Sequence, residues 1–106
     1  MSAKRNYLLE EKNTQIALLG RALSHELRVE ILSLLLKNKK SRCIDLAKQF
    51  KTSRSTIHHH LEFLKMANIV SLEYHVHYYL LSIPKTKKNL ISSIIYHKQV
   101  NSLSNN

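Results

Sequence analysis

SRCIDLAKQFKTSRSTIHHHLEFLKMA, residues 41–67, is the stretch that decides the predicted fold, because it contains two short helical patterns separated by a polar turn. The apolar face of the first helix consists of Ile44, Leu46, Ala47 and Phe50. The turn is Lys51-Thr52, and Ser53 follows where its hydroxyl oxygen can accept a backbone N–H of the next helix. Two short helices joined in this way are typical of a helix-turn-helix, a unit that reads duplex DNA.

The second helix of this pair is predicted over residues 54–67. Its buried stripe has the helical spacing of Ile57, Leu61 and Leu64, with Phe63 on the flank. The side chains left off that stripe are polar or basic, namely Arg54, Ser55, His58, His59 and Lys65. A helix with a polar outer face and a cation near each end fits the DNA major groove.

The composition points to a polyanionic partner. The 106 residues include 17 Lys and Arg against 7 Asp and Glu, which gives a formal net charge of +10 and a pI near 10.0. Double-stranded DNA is the leading candidate, and an anionic membrane surface is the rival. A chain of this length forms one domain, residues 1–106, with a modest core, so we also expect a homodimer.

Several classes of protein are disfavoured by what the sequence lacks. The longest apolar run, residues 31–36, is interrupted by Ser33 and is far shorter than the ~20 residues of a membrane span. No hydrophobic leader follows Lys4-Arg5, so we expect a cytoplasmic protein without a membrane partner. A single cysteine, Cys43, excludes a disulfide framework or a multi-cysteine metal site. No phosphate-loop, dinucleotide or hydrolase motif occurs, so we expect no catalytic residues, no cofactor and no enzymatic activity.

Helical periodicity and strand composition predict the rest of the fold. A first helix is predicted over residues 4–19, and a second is predicted to be capped by Ser24 and to end at the cations of residues 37–40. Residues 69–73 and 76–81 form a predicted hairpin, and Pro84 precedes a last helix over residues 85–102. The order α-α-α-α-β-β-α is mainly α with a β-hairpin wing, which is the order of a winged helix-turn-helix.

Four stretches in the core region, residues 22–82, resemble the ArsR, or arsenic-repressor, type of winged-helix transcription regulator. They are ALSHELRVEIL at 22–32, IDLA at 44–47, SRSTIHHHL at 53–61 and HYYL at 77–80. The resemblance implies a sequence-specific DNA-binding regulator, by default a repressor, in which the first and last helices pack across a two-fold axis. The apolar residues expected at that dimer interface are Leu8, Leu9, Ile16, Leu19, Leu90, Ile91, Ile94 and Ile95.

The resemblance does not extend to a metal site. Metal sensors of this type often have cysteines at the positions of Arg42 and Ile44, whereas Cys43 lies between them. On the last helix only His97 remains of the ligand set that the family uses. The consecutive histidines 58–60 diverge by about 100° each around a helix, so they do not converge on one ion either. We therefore expect no metal site, and the sequence does not indicate a metal or small-molecule effector. We expect His60 to pack at the edge of the apolar stripe.

The residues expected to contact DNA are Ser53, Arg54, Ser55, Thr56, His58, His59 and Lys65 on the second helix of the pair, Arg42, Lys48 and Lys51 before it, and His75 and His77 in the hairpin. Arg54 is suited either to the two acceptors of guanine or to a phosphate. The exposed histidines either contact DNA or face solvent, and the same choice applies to each lysine.

Further alternatives remain for individual residues and for the whole chain. Cys43 is either a packed apolar side chain or a redox-sensitive thiol. The tyrosines 74, 78 and 79 either stack on bases or pack, at least one of them, onto the helices. The hairpin lacks glycine and arginine. Two other functions also fit the composition, a sequence-neutral nucleoid or chromatin protein and a winged helix that docks onto another protein.

Overall fold

The computed structural model of the protein describes the backbone of residues 3–104 and the side chains of residues 9–96. Its elements are α1 (Ala3–Ala22), α2 (Glu26–Asn38), β1 (Lys40–Arg42), α3 (Cys43–Gln49), α4 (Arg54–Met66), β2 (Ser71–Tyr74), β3 (Tyr79–Ser82) and α5 (Lys85–Ser104). This order confirms the predicted winged helix-turn-helix, in which α3 and α4 form the helix pair and β2 and β3 form the wing. The sequence prediction missed one element, the strand β1.

The sheet has three antiparallel strands in the order β1-β3-β2. In its register Leu81 of β3 lies between Ser41 of β1 and Leu72 of β2. The prediction that α2 ends with the cations of residues 37–40 was wrong at its last residue, because Lys40 belongs to β1. Lys39, with a positive φ of 67°, ends the helix and donates its backbone N–H to the Leu35 carbonyl. The chain then turns directly into the sheet.

The caps of α2 and α4 differ in how well the sequence predicted them. Ser53 caps α4 as predicted, since its Oγ accepts the backbone N–H of Thr56 at 3.1 Å. The prediction of Ser24 as the cap of α2 was wrong, because His25 has that place and its Nδ1 accepts the N–H of Leu27 at 3.1 Å. Ser24 instead donates its hydroxyl to the carbonyl of Arg21 at 2.8 Å, which satisfies an acceptor at the end of α1.

Both strands of the wing are shorter than predicted. Ile69 and Val70 were expected in the first strand, but they are buried in the core before β2 begins. Val76 was expected in the second strand, but it lies at the tip of the wing and is 91% exposed. The N–H of His75 donates to the carbonyl of Tyr78 at 2.9 Å, so the chain reverses over residues 75–78. Their β-branched and aromatic composition suggested strand, but the reversal leaves them no partner strand.

The core lies between the helices and the inner face of the sheet. All helices contribute to it, including α1 through Ala22 and α5 through Ile91, which is 1% exposed. Within α4 the most deeply buried side chains are Ile57, Leu61 and Leu64. Burial of this stripe fixes which face of α4 remains outside, and that face is the candidate site.

Candidate nucleic-acid interface

The exposed face of α4 lies opposite the stripe formed by Ile57, His60, Leu61 and Leu64. Steps of 100° per residue place Ser55, His59, Glu62 and Met66 at the centre of the exposed face. Arg54, His58 and Lys65 lie on the flank of this face. Sequence reasoning missed Glu62 and Met66 because it selected for positive charge and hydrogen-bonding groups. The angular positions of Glu62 and Met66 around the helix, which follow from the sequence alone, would have identified them.

The predicted contact residues at the start of α4 divide into two pairs. Arg54 and Ser55 are exposed on the first turn. The hydroxyl of Ser53 lies 3.1 Å from that of Ser55 and donates to Thr56 Oγ1 at 3.0 Å, in addition to capping the helix. Ser53 and the half-buried Thr56 therefore order the helix start, whereas Arg54 and Ser55 are presented outward.

The three consecutive histidines have different surroundings, as predicted for His60. His60 is 7% exposed, whereas His58 and His59 are exposed. The His58 Nε2 lies 3.5 Å from the Sγ of Cys43 on α3, and its ring meets the edge of Tyr79 on β3. The ring of His59 packs edge-on against Phe63. In the described part of the chain, no three His, Cys, Asp or Glu side chains group as metal ligands would.

Two of the expected phosphate contacts already have carboxylate partners within the chain. Arg42 donates to both carboxylate oxygens of Asp45, at 2.8 and 3.2 Å. This bond raises the pKa of Arg42 and lowers that of Asp45. Lys65 lies 3.6 Å from the carboxylate of Glu62. Among residues 9–96, Lys48, Lys51 and Arg54 have no carboxylate within 4.0 Å, so these three of the expected contact residues are available to meet phosphates.

The wing is organised by its own polar side chains. Glu73 accepts a hydrogen bond from Lys40 of β1 at 3.2 Å and lies 3.0 Å from the His75 Nε2. The bond from Lys40, more than the one from His75, lowers the pKa of Glu73. The ring of His75 stacks on Tyr78 at a centroid distance of 4.7 Å. A positive charge on His75 would thus face a carboxylate, whereas His77 is exposed at the tip.

A groove runs between α4 and the wing. It is lined by His58, Leu61, Glu62 and Lys65 of α4 and by Leu72, Tyr74 and Tyr79 of the strands. Tyr79 contacts His58 across it, which confirms that at least one tyrosine ring packs onto the helices. Tyr74 in turn meets Tyr79 edge-on at 5.1 Å. These ring contacts couple the position of the wing to that of α4.

Cys43 is a packed side chain at the start of α3. It is 4% exposed, and burial raises the pKa of its thiol, although the charge of Arg54 acts in the opposite direction. A raised pKa disfavours the thiolate, which is the reactive form. The adjacent cation Arg42 is bonded to Asp45. The packed alternative for Cys43 is the one that fits this environment.

The expected dimer residues include one that the structure excludes. Ile91 was placed at the interface, but it is 1% exposed and lies in the core of the chain itself. Leu19 and Ile95 are half-buried against the same core. Large exposed apolar side chains remain on both helices: Leu9 and Ile16 on α1, and Leu90, Ile94 and Tyr96 on α5. Tyr96 was missed, and the side chains of Leu8 and His97 lie outside the described residues.

A family comparison agrees with this geometry. Residues 25–71, from the α2 cap to the start of β2, match the sequence profile described as "Bacterial regulatory protein, arsR family". This segment of the chain is similar to the ArsR family of bacterial regulatory proteins. The matched residues include the whole helix pair and Ser53. The earlier resemblance to this type is therefore confirmed.

Solved structures with the same fold extend beyond the matched segment. The homodimeric winged helix-turn-helix DNA-binding domain of a possible ArsR-family regulator from Mycobacterium bovis has a TM-score of 0.77 at 21% identity, covering 93% of this chain and 88% of that one. NolR from Sinorhizobium fredii has a TM-score of 0.70 at 22% identity, covering 92% of each chain. The transcriptional repressor BigR from Xylella fastidiosa has a TM-score of 0.64 at 19% identity, covering 89% and 93%.

No curated protein sequence is similar enough to this chain to count as a relative. Within the described residues, every helix is too short or too polar to cross a membrane.

Proposed function

We propose that this protein is a transcriptional regulator that binds specific sequences in double-stranded DNA as a homodimer. The observation that supports this function best is the placement of α4. One face of the helix is buried in the core, and the other presents Arg54 and Ser55 at its first turn beside an exposed wing. The arrangement suits insertion of α4 into a major groove.

In this proposal each half of a two-fold symmetric site is read by one α4. The two helices enter successive major grooves about 34 Å apart. Arg54 hydrogen-bonds a guanine edge, while Lys48 and Lys51 contact phosphates. The family description as a regulatory protein and the repressor title of the Xylella fastidiosa relative favour repression, through occlusion of a promoter.

The dimer in this proposal forms through α1 and α5. The whole chain, residues 1–106, acts as one winged-helix domain whose core spans residues 22–82, with the two terminal helices contributing the interface. Apolar side chains exposed on the subunit support this assignment, since Ile16 is 59% and Ile94 is 39% exposed. The Mycobacterium bovis relative is described as homodimeric, which favours the same assembly by analogy.

In vitro selection from a random duplex pool tests the function and the role of Arg54 together. The wild type should enrich a two-fold symmetric sequence with a specificity ratio of about 10³ or more. Arg54→Ala should lose the preference at one base per half-site, worth about 1–3 kcal/mol of discrimination. Lys85→Ala removes an equal charge from the start of α5, so it should keep the preference.

Three outcomes of this selection contradict parts of the proposal. If the wild type enriches nothing, a sequence-neutral nucleoid or chromatin protein replaces the regulator. If the wild type does not bind DNA, or if its binding does not weaken steeply as the salt concentration rises, a protein-docking module replaces both the regulator and the nucleoid protein. If Arg54→Ala weakens all sequences equally, Arg54 contacts a phosphate and another residue reads the base.

A further inference from the structure

Arg28 of α2 is a buried cation that has no carboxylate partner among the residues whose side chains the structure describes. It is 8% exposed, and its guanidinium lies over the ring of Phe63 on α4, with Cζ 3.9 Å from the ring centroid. Nε donates to the Nδ1 of His60 at 3.2 Å, and Nη1 donates to the carbonyl of Arg21 on α1 and, at 3.5 Å, to the hydroxyl of Ser24. One side chain therefore joins the end of α1, the start of α2 and the buried face of α4.

This bonding pattern requires a neutral His60. A guanidinium is always charged and only donates hydrogen bonds, so the Nδ1 that faces it must be unprotonated. A buried charge is tolerated where hydrogen bonds satisfy it, and here every acceptor is neutral. Protonation of His60 would remove one acceptor and place a second positive charge beside the first.

The charged and titratable groups that face His60 all oppose its protonation. From α2 and its cap these are Arg28 and His25, whose ring centroid is 4.5 Å away, and from α4 itself the group is His59, at 5.6 Å. From α1 the contact is the Arg21 carbonyl, which is bonded to Arg28. Burial is the largest cause that lowers the pKa of His60, followed by the charges of His25, Arg28 and His59.

We propose that Arg28 and His60 are positioning residues that hold α4 at its DNA-binding angle, and that protonation of His60 releases the helix, so that specific binding is lost in mild acid. The inference depends on the proposed function, because its readout is the binding of a selected sequence. Neither residue touches DNA. Both act through the orientation of the exposed face on the far side of the same helix.

The sign of the pH effect separates His60 from the exposed histidines. Protonation of an imidazole exposed to DNA adds positive charge, which increases attraction to phosphates and raises affinity in acid. His60 acts in the opposite direction. Its folded-state pKa is lowered, so its stabilising contribution is complete above the unfolded pKa of about 6.5 and declines as the pH falls below that value.

The test is the affinity for a selected duplex measured by fluorescence anisotropy between pH 8 and pH 5 at constant ionic strength. For the wild type we expect affinity to fall on the acid side, by at most about tenfold per pH unit for one proton. In His60→Gln the amide oxygen accepts from Arg28 at every pH, so the acid loss should disappear. The control His77→Gln removes an exposed imidazole at the tip of the wing, which is not among the groups that face His60, and it should keep the acid loss.

Circular dichroism and histidine NMR in the same buffers separate positioning from folding. The wild type should remain folded where binding is lost, and the His60 Nδ1 shift should report protonation over that range. Unfolding of the wild type over that range would make the pair a stability element only and would overturn the inference. If His60→Gln does not fold, the Nδ1 shift decides alone, because an unprotonated Nδ1 where binding is lost also overturns it.

The failure of this inference is distinguishable from that of the proposed function. If the wild type binds no sequence selectively at pH 8, the function is wrong. If it binds selectively at pH 8 and His60→Gln retains the same acid loss, or if the wild type gains affinity throughout, the function stands and the positioning role is wrong.

Discussion

Replacing Ile16 with Asp should dissociate the dimer without unfolding the subunit. Ile16 is 59% exposed on α1, and burying a whole isoleucine side chain is worth about 1.5–3 kcal/mol. An interface that covers the exposed part therefore gains about 0.9–1.8 kcal/mol per copy, and two symmetric copies gain about 2–3.5 kcal/mol. Ile16→Asp removes this stabilisation, which raises the dimer Kd by about 30- to 300-fold, and burial of the new carboxylate raises the Kd further.

Sedimentation equilibrium over a concentration series measures this change directly. Val76→Asp is the matched control, because Val76 is also an exposed aliphatic residue but lies at the wing tip. It should leave the dimer Kd unchanged. The free energy of unfolding of each variant should lie within about 0.5 kcal/mol of the wild-type value, as is usual for surface substitutions. A Kd for Ile16→Asp equal to that of the wild type, or an equal weakening in Val76→Asp, would refute the placement of the interface on α1.

Two further predictions concern the core and the phosphate contacts. Leu64→Ala should lower the free energy of unfolding, measured in urea, by about 2–5 kcal/mol, because Leu64 is fully buried. The control Met66→Ala, two residues further on, should change it by at most about 0.5 kcal/mol, because Met66 is exposed. Equal losses in the two variants would mean that α4 is rotated relative to the core. Lys48→Ala should reduce the slope of log K against log salt by about 0.9, the value for one phosphate contact in B-form DNA. An unchanged slope for Lys48→Ala would show that Lys48 faces solvent in the complex, and Lys85→Ala on α5 supplies the control that should not change it.

The parts of the fold that were predictable depend on short stretches of chain. The α3–α4 pair follows from apolar spacing and from Ser53, whose bond to Thr56 spans three residues. Strand β1 was not predictable in this way, because residues 40–42 form a strand only through pairing with β3, about forty residues later. Nothing in the letters Lys-Ser-Arg favours a strand over a helix end.

The dimer surface was also only partly predictable from the sequence. Apolar periodicity places Leu90, Ile91, Ile94 and Ile95 on one face of α5, but it does not say which of them contact the subunit itself. The structure assigns Ile91 to the core of its own subunit. Removal of the chain after Pro84 would therefore damage the fold as well as the proposed interface, which is why single exposed residues make the sharper test.

The candidate site was predictable as a surface but not as a set of interactions. Residue types identified Arg42 and Lys65 as cations near DNA, but their pairing with Asp45 and Glu62 depends on side-chain geometry. Arg28 and His60 are 32 residues apart, and no sequence pattern indicates that one donates to the other. His60 was predictable as a packed residue from its helical angle, whereas its acceptor role required the tertiary contact.

The distribution of charge suggests that affinity and specificity come from different parts of this protein. The chain has a net charge of +10, yet α4 itself has only Arg54 and Lys65 as cations, with Glu62 between them on the exposed side. Most of the electrostatic attraction must therefore come from elements outside α4, since each phosphate contact contributes whatever the base sequence. Base discrimination depends on short-range geometry and so on the angle of α4. Loss of the Arg28–His60 contact should consequently reduce binding to the selected sequence more than binding to random DNA.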